Sequence, residues 1–97
     1  MTITTISILA LLVEFLGTFV FLASILISGG NPWIIGGTLA ILIYFVGSST
    51  SGGHFNPAVT VATLMNRGIT TTTAANYIVA QISGALLAVA IYVTSKQ

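Results

Sequence analysis

A polar, glycine-rich decapeptide, Ser51-Gly52-Gly53-His54-Phe55-Asn56-Pro57-Ala58-Val59-Thr60, breaks a chain whose flanks are apolar enough to sit in a bilayer. No other feature limits the fold as much, because backbone at bilayer depth must find hydrogen-bond partners inside the protein or in a water-filled cavity. Only 3% of the 97 residues are charged and 56% are hydrophobic. A soluble domain of this size needs a charged surface, so the chain is expected to be an integral, multi-pass membrane protein. It has no cysteine, hence no disulfide framework and no thiol-based nucleophile or metal site. A formal net charge of +1 offers no basic patch for nucleic acid. No Lys or Arg precedes the first apolar run, and that run outlasts the apolar core of a signal peptide, so no cleaved leader is expected.

The first run, about 6–27, supplies roughly 20 residues at about 1.5 Å each, enough for a hydrocarbon core of about 30 Å. Ser28-Gly29-Gly30-Asn31-Pro32 is a turn by composition, and Trp33 beside it suits an interfacial anchor. A second span is expected over about 34–48. The segment Gly47-Ser48-Ser49-Thr50-Ser51-Gly52-Gly53 is too small and polar for lipid-facing helix. From Pro57 to about Asn66 a short helix of about 15 Å covers half a membrane. Arg67-Gly68 stops it, and a Thr-rich turn (Thr70 to Thr73) leads into a last span over about 74–93. The expected fold is an all-α membrane protein with residues 1–97 as one unit. It comprises three transmembrane helices plus a re-entrant loop and half-helix over about 49–66. Small residues at every fourth position, Ala80, Gly84 and Ala88, with Gly36 and Ala40 in the second span, permit close approach of membrane helices.

Asn56 stands where a helix N-cap belongs and Pro57 where the first helical residue belongs. The Asn carbonyl oxygen can cap the free N–H groups, which leaves its NH₂ as a donor at the positive end of the helix dipole. Such an end offers water a donor and a cation an unfavourable field. Gly52 and Gly53 allow extended backbone whose carbonyls line a path. Glu14 lies in mid-span, where an acid is costly and faces protein or water. It either braces the nearby loop or is a neutral acid sealed in packing. His54 is either a pH-sensitive gate or a neutral lining residue. Arg67 suits the negative end of the half-helix and equally an interfacial anchor. Asn31-Pro32 echoes Asn56-Pro57 but precedes a span, and is taken as part of the turn. Apart from tyrosine phenols, the ionisable side chains are Glu14, His54, Arg67 and Lys96. They form no acid–base pair or nucleophile-and-base set, so neither an enzyme nor a cofactor or metal site is expected.

The decapeptide resembles the first NPA loop of the aquaporins and aquaglyceroporins, the major intrinsic protein family. Glu14-Phe15-Leu16-Gly17-Thr18-Phe19 resembles that family's first-helix motif, and Ala80-Gln81-x-x-Gly84-Ala85 its third helix. The match covers nearly the whole chain in order and spacing. The resemblance implies one half of the aquaporin inverted-repeat fold. It makes Asn56, with Pro57 and Ala58, the pore motif and the carbonyls of Gly52, Gly53 and His54 its acceptor ladder. It makes Glu14 and Gln81 the supports of the loop.

The sequence also departs from that pattern, because the family carries two such repeats in opposite orientation and this sequence holds one. One chain therefore cannot enclose the pore. Val59 follows the motif where the family's second copy has an arginine, and the second-span filter position falls near Gly36 rather than on a bulky aromatic. Both point to a wider filter, which Tyr44 or Phe45 would partly narrow. Arg67 and Lys96 are expected on opposite faces, with the N-terminus on the side of Arg67, so the positive-inside rule sets no firm orientation. Two antiparallel copies would regenerate an inverted repeat. The leading expectation is a passive channel for water, with glycerol or another small neutral solute as further cargo, built as an antiparallel homodimer and clustered further as a tetramer of dimers. The alternatives are an N-terminal fragment of a full-length channel that does not conduct alone, and a non-conducting assembly or regulatory subunit.

Overall fold

The computed structural model describes residues 3–97, with side chains from residue 8 onward. Every regular element among them is helical: α1 (Ile3–Ser28), α2 (Pro32–Leu42), α3 (Pro57–Met65) and α4 (Thr71–Ser95). A single turn of wider, π-type winding over Ile43–Gly47 prolongs α2. At about 1.5 Å per residue, α1 and α4 are roughly 39 and 37 Å long, α2 with its π turn about 24 Å, and α3 about 14 Å. Two helices, α1 and α4, are long and apolar enough to cross a membrane. The long axis of the molecule measures 43 Å, close to a bilayer with its headgroups.

The framework is the α1–α4 pair, and it closes because Gly84 has no side chain. A Cβ there would run into the Phe15 carbonyl oxygen and lie 3.1 Å from the Phe19 nitrogen. Ala88, one helical turn on, is buried as well. A Cβ on Gly36 would meet nothing within 4 Å among the described residues, so this glycine is not set against a neighbouring helix as Gly84 is. The interior is unusual in chemistry. The large side chains buried most completely are Phe55, Gln81, Glu14, Thr18 and Thr60, while Leu16, Ile27, Ile41, Phe45 and Leu86 face outward. In lipid the tails are as apolar as leucine, so association of helices rests on close packing and hydrogen bonds rather than on hiding apolar surface.

Helix ends explain where the observed boundaries differ from those expected. Thr70–Thr73 is not a turn: Thr70 caps α4 by accepting the Thr73 N–H on its hydroxyl at 3.2 Å, and helix begins at Thr71. Threonine is a good N-cap, which a count of apolar residues does not register. Asn31 likewise caps α2, its side-chain oxygen accepting from the backbone N–H groups of Trp33 (2.9 Å) and Ile34 (3.2 Å), with Pro32 as the first helical residue. The sequence thus holds two Asn-Pro helix starts, of which the first opens the longer segment. At the other end of α3, Arg67 takes a left-handed backbone (φ 61°). Its N–H donates to the Leu64 carbonyl and the Gly68 N–H to the Thr63 carbonyl, both at 2.9 Å, a Schellman closure. The face assigned to the N-terminus lies outside the described residues.

Candidate functional site

The loop between the π turn and α3 folds back onto α1. Gly47 ends the π turn, and a Cβ on it would meet the Gly53 Cα at 2.6 Å. Two glycines thus bring loop backbone directly onto helix backbone, and that backbone is turned to positive φ at Gly52 and Gly53 rather than extended as expected. Gly52, Gly53 and Phe55 all have positive φ (97°, 67° and 51°). For Phe55 this is a strained conformation, and the ring is held by burial at 1% exposure. It fills the space left by Gly17, where a Cβ would collide with the ring, and touches the place of a Gly47 Cβ at 3.1 Å.

Glu14, with no solvent exposure, is the polar centre of this arrangement. Its Oε2 accepts from the Ser51 hydroxyl (2.6 Å) and the His54 N–H (3.0 Å). Its Oε1 accepts from the Phe55 N–H (2.8 Å) and the Gln81 amide (2.8 Å). Four donors from the loop and α4 converge on one side chain of α1. Gln81 donates its second hydrogen to the Thr60 hydroxyl (2.8 Å), which lies 2.9 Å from His54 Nδ1. The Tyr77 hydroxyl donates to the Ser51 carbonyl at 2.6 Å, and the Ser51 hydroxyl accepts the Gly53 N–H at 3.1 Å. The His54 ring meets the Tyr77 ring edge-on at 5.2 Å between centroids.

Asn56 begins α3 with extended backbone (φ −162°), and its side-chain oxygen accepts the Ala58 N–H at 2.8 Å. The residue is exposed, so its NH₂ is left as an outward donor at the positive end of α3. Among the described residues no hydrogen bond ends on the carbonyl oxygens of Gly52, Gly53 or His54. Beside Asn56 and Pro57 opens an apolar cavity of about 310 Å³ between α1 and α4, bordered by Thr18, Ile25, Gln81 and Ala85. Thr18 Oγ1 and Gln81 Oε1 are buried there without partners among the described residues.

The structure therefore gathers Glu14, Gln81, His54 and the two glycines around one loop, with Asn56 at its exit. It does not bring Gly36, Tyr44 or Val59 to them as a wall. Gly36 has open space beside it, Tyr44 is 76% exposed with its ring edge-on to that of Phe45, and Val59 is exposed on α3. Ser51, Phe55, Thr60 and Tyr77 also take part; the sequence places the first three in the decapeptide but gives none of the four a role of its own. In an apolar chain a buried Phe or Tyr has no contrast to mark it.

The model of the family described as major intrinsic protein matches residues 2–97. The chain belongs to the major intrinsic protein family. Among its relatives, the glycerol uptake facilitator protein-like 6 of Lactiplantibacillus plantarum is 48% identical over 84 residues, covering 79% of this chain and 39% of that protein. The probable aquaporin PIP2-5 of Arabidopsis thaliana is 45% identical over 62 residues, covering 64% of this chain and 21% of the relative. A rice relative, the probable aquaporin PIP2-6 of Oryza sativa subsp. japonica, is 44% identical over 62 residues, 64% of this chain and 22% of its own length. No solved structure gives a significant match. This member of the major intrinsic protein family thus spans between about a fifth and two fifths of the length of these relatives. With its family and its two apolar helices, it is an integral membrane protein.

Proposed function

We propose that the chain forms half the wall of a passive, bidirectional channel for water and for glycerol or other small neutral solutes, and that a second, antiparallel copy supplies the other half. One observation carries this reading. A loop held by Glu14 leaves the carbonyls of Gly52, Gly53 and His54 without partners among the described residues, with Gly52 and Asn56 exposed on an otherwise apolar chain. Polar backbone within a bilayer must be covered by protein or line water, and one chain offers no second wall. In this architecture α2 with its π turn is a second crossing, α3 re-enters to about half depth, and the unit is the single repeat 1–97. In this reading the second copy covers the cavity beside Asn56 and Pro57. The names of the relatives, a glycerol uptake facilitator and aquaporins, support water and glycerol as the solutes. The single cations Arg67 and Lys96, one near each end of α3 and α4, leave orientation undecided and favour insertion both ways.

Stopped-flow light scattering on proteoliposomes of this chain alone, under sucrose and then glycerol gradients, tests the proposal beside Asn56→Asp. Shrinkage faster than in empty vesicles, slowed by the Asn56 change, is expected, and rapid re-swelling in glycerol sets the width. Folded, inserted protein with no more flux than empty vesicles overturns it. Cysteines introduced singly at Ser28 and Arg67 test the topology: a reagent confined to one face must label both, and labelling of one alone excludes dual insertion. The modest share of each relative that is covered favours a second reading, in which the other half is a different chain. Flux that appears only on coexpression with such a partner would select it.

A further inference from the structure

The histidine at the centre of the loop carries information that its two nitrogens do not show on their own. We infer that Gln81 and Thr60 fix the neutral His54 imidazole as its Nε2–H tautomer, so that the ring presents an N–H donor beside Gly52 to the oxygens of passing neutral solutes. The assignment follows from counting hydrogens outward from Glu14. A glutamine amide nitrogen has two hydrogens and only donates. Gln81 Nε2 spends them on Glu14 Oε1 and on Thr60 Oγ1, both at 2.8 Å. With Glu14 accepting from Ser51, His54 and Phe55 as well, the reverse orientation of that amide would set its oxygen against an acceptor oxygen, so the network assigns the amide hydrogens to Glu14 and Thr60.

Thr60 Oγ1 therefore accepts from Gln81, and its own hydrogen must go elsewhere. In α3 the usual outlet is the carbonyl four residues back, as Thr63 uses the Val59 carbonyl at 2.8 Å. Thr60 makes no such bond among the described residues, and its remaining neighbour is His54 Nδ1 at 2.9 Å. The hydroxyl donates to Nδ1, so Nδ1 is an acceptor and the ring hydrogen is on Nε2. That nitrogen stands where Gly52 has no side chain, 3.5 Å from the position of a Cβ. The groups facing the ring are Thr60 from α3, the Tyr77 ring from α4 and, through the backbone N–H of His54, Glu14 from α1. The tautomer stands on these bonds alone, whereas its use as a donor to solutes rests on the channel reading.

The chain holds one histidine, so ¹⁵N-histidine labelling and solid-state NMR in lipid bilayers at neutral pH report on His54 without ambiguity. The expected spectrum shows a protonated Nε2 and an acceptor Nδ1. The excess over the other tautomer should be at least about fivefold, the ratio that one net hydrogen bond of about 1 kcal/mol sustains. Thr60→Ser keeps that pattern and Thr60→Val collapses it toward a mixture. A dominant Nδ1–H form in the wild-type chain overturns the inference, whether or not the Val variant folds. Polarisation transfer from water tests the second half: it should reach Nε2–H, and a ring with the expected tautomer but no water contact refutes its part in conduction. Flux failure with the tautomer intact counts against the channel reading alone.

Discussion

Replacing Glu14 by Gln keeps the size and shape of the side chain and removes half of its acceptor capacity. In the native chain Oε2 takes the Ser51 hydroxyl and the His54 N–H, and Oε1 takes the Phe55 N–H and the Gln81 amide. The variant amide can serve one of these pairs. If its oxygen keeps Phe55 and Gln81, its NH₂ confronts Ser51 and His54. Ser51 can turn its hydroxyl to accept, but the His54 N–H cannot turn. One donor left unpaired costs about 1–3 kcal/mol, and the surviving bonds lose a charged acceptor, each falling from roughly 1.5–3 to about 1 kcal/mol. Glu14→Gln should therefore destabilise the folded chain by at least about 3 kcal/mol, a shift of two or more powers of ten in the folding equilibrium. Unfolding in mixed micelles of increasing denaturing detergent, followed by helical circular dichroism, measures the loss. Water permeability of proteoliposomes should fall in parallel, because the carbonyls of Gly52, Gly53 and His54 are then no longer held in place. A loss below about 0.5 kcal/mol with unchanged permeability would refute the four-donor account of the loop, since surface changes alone stay within that range.

Gly17→Ala drives a Cβ into the Phe55 ring and should cost about 1–3 kcal/mol by overpacking. Pairing it with Phe55→Leu should recover part of that loss in the same detergent titration. Gly84→Ala presses on the Phe15 and Phe19 backbone, which cannot yield as a side chain can, so its cost should equal or exceed that of Gly17→Ala. Wider spacing of labels on α1 and α4 should accompany it. Tyr77→Phe removes the donor to the Ser51 carbonyl and should lower stability by about 1 kcal/mol, with water permeability reduced rather than abolished. Thr70→Val deletes the cap of α4 and should cost about 1 kcal/mol of stability while leaving the relative permeability to water and glycerol as it was.

The helical class and the place of the polar loop were legible because their signals are local. An Asn-Pro pair announces a helix start within four residues, and an acid or amide in an apolar run announces a buried polar partner. Glu14 stands out on that ground, whereas Gln81 is marked only by the resemblance of Ala80-Gln81-x-x-Gly84-Ala85 to the family's third helix. The resemblance implies that both support the loop, but their direct hydrogen bond has no local signal, since residues 67 apart meet only after α1 and α4 have packed. The wedge formed by Phe55 between Gly17 and Gly47 was also hidden. One more phenylalanine in an apolar chain carries no pattern, and each glycine on its own reads as ordinary helix content. The start of α4 at Thr71 followed a capping rule available from the sequence, but the cluster of threonines from Thr70 to Thr73 was weighed by polarity instead. Gly36, Tyr44 and Val59 are on open surface in the single chain, so their part in any filter depends on a second wall.

The anchoring of the loop also sets an order of events. Its holding bonds run backward to Glu14, 37 to 41 residues earlier, and forward to Tyr77 and Gln81, 21 to 26 residues later. During synthesis α1 is present when the loop emerges, but its last two clamps are still on the ribosome. Until α4 arrives, the strained backbone at Phe55 is restrained from one side only, and its carbonyls remain open to whatever surrounds them. The loop is thus a late joint, closed by α4 rather than by the helices that flank it. Chains arrested before Tyr77 should remain open to protease in this segment, and chains extended past Gln81 should become resistant. Assembly of the loop is in this sense a timed event, with α4 as its trigger.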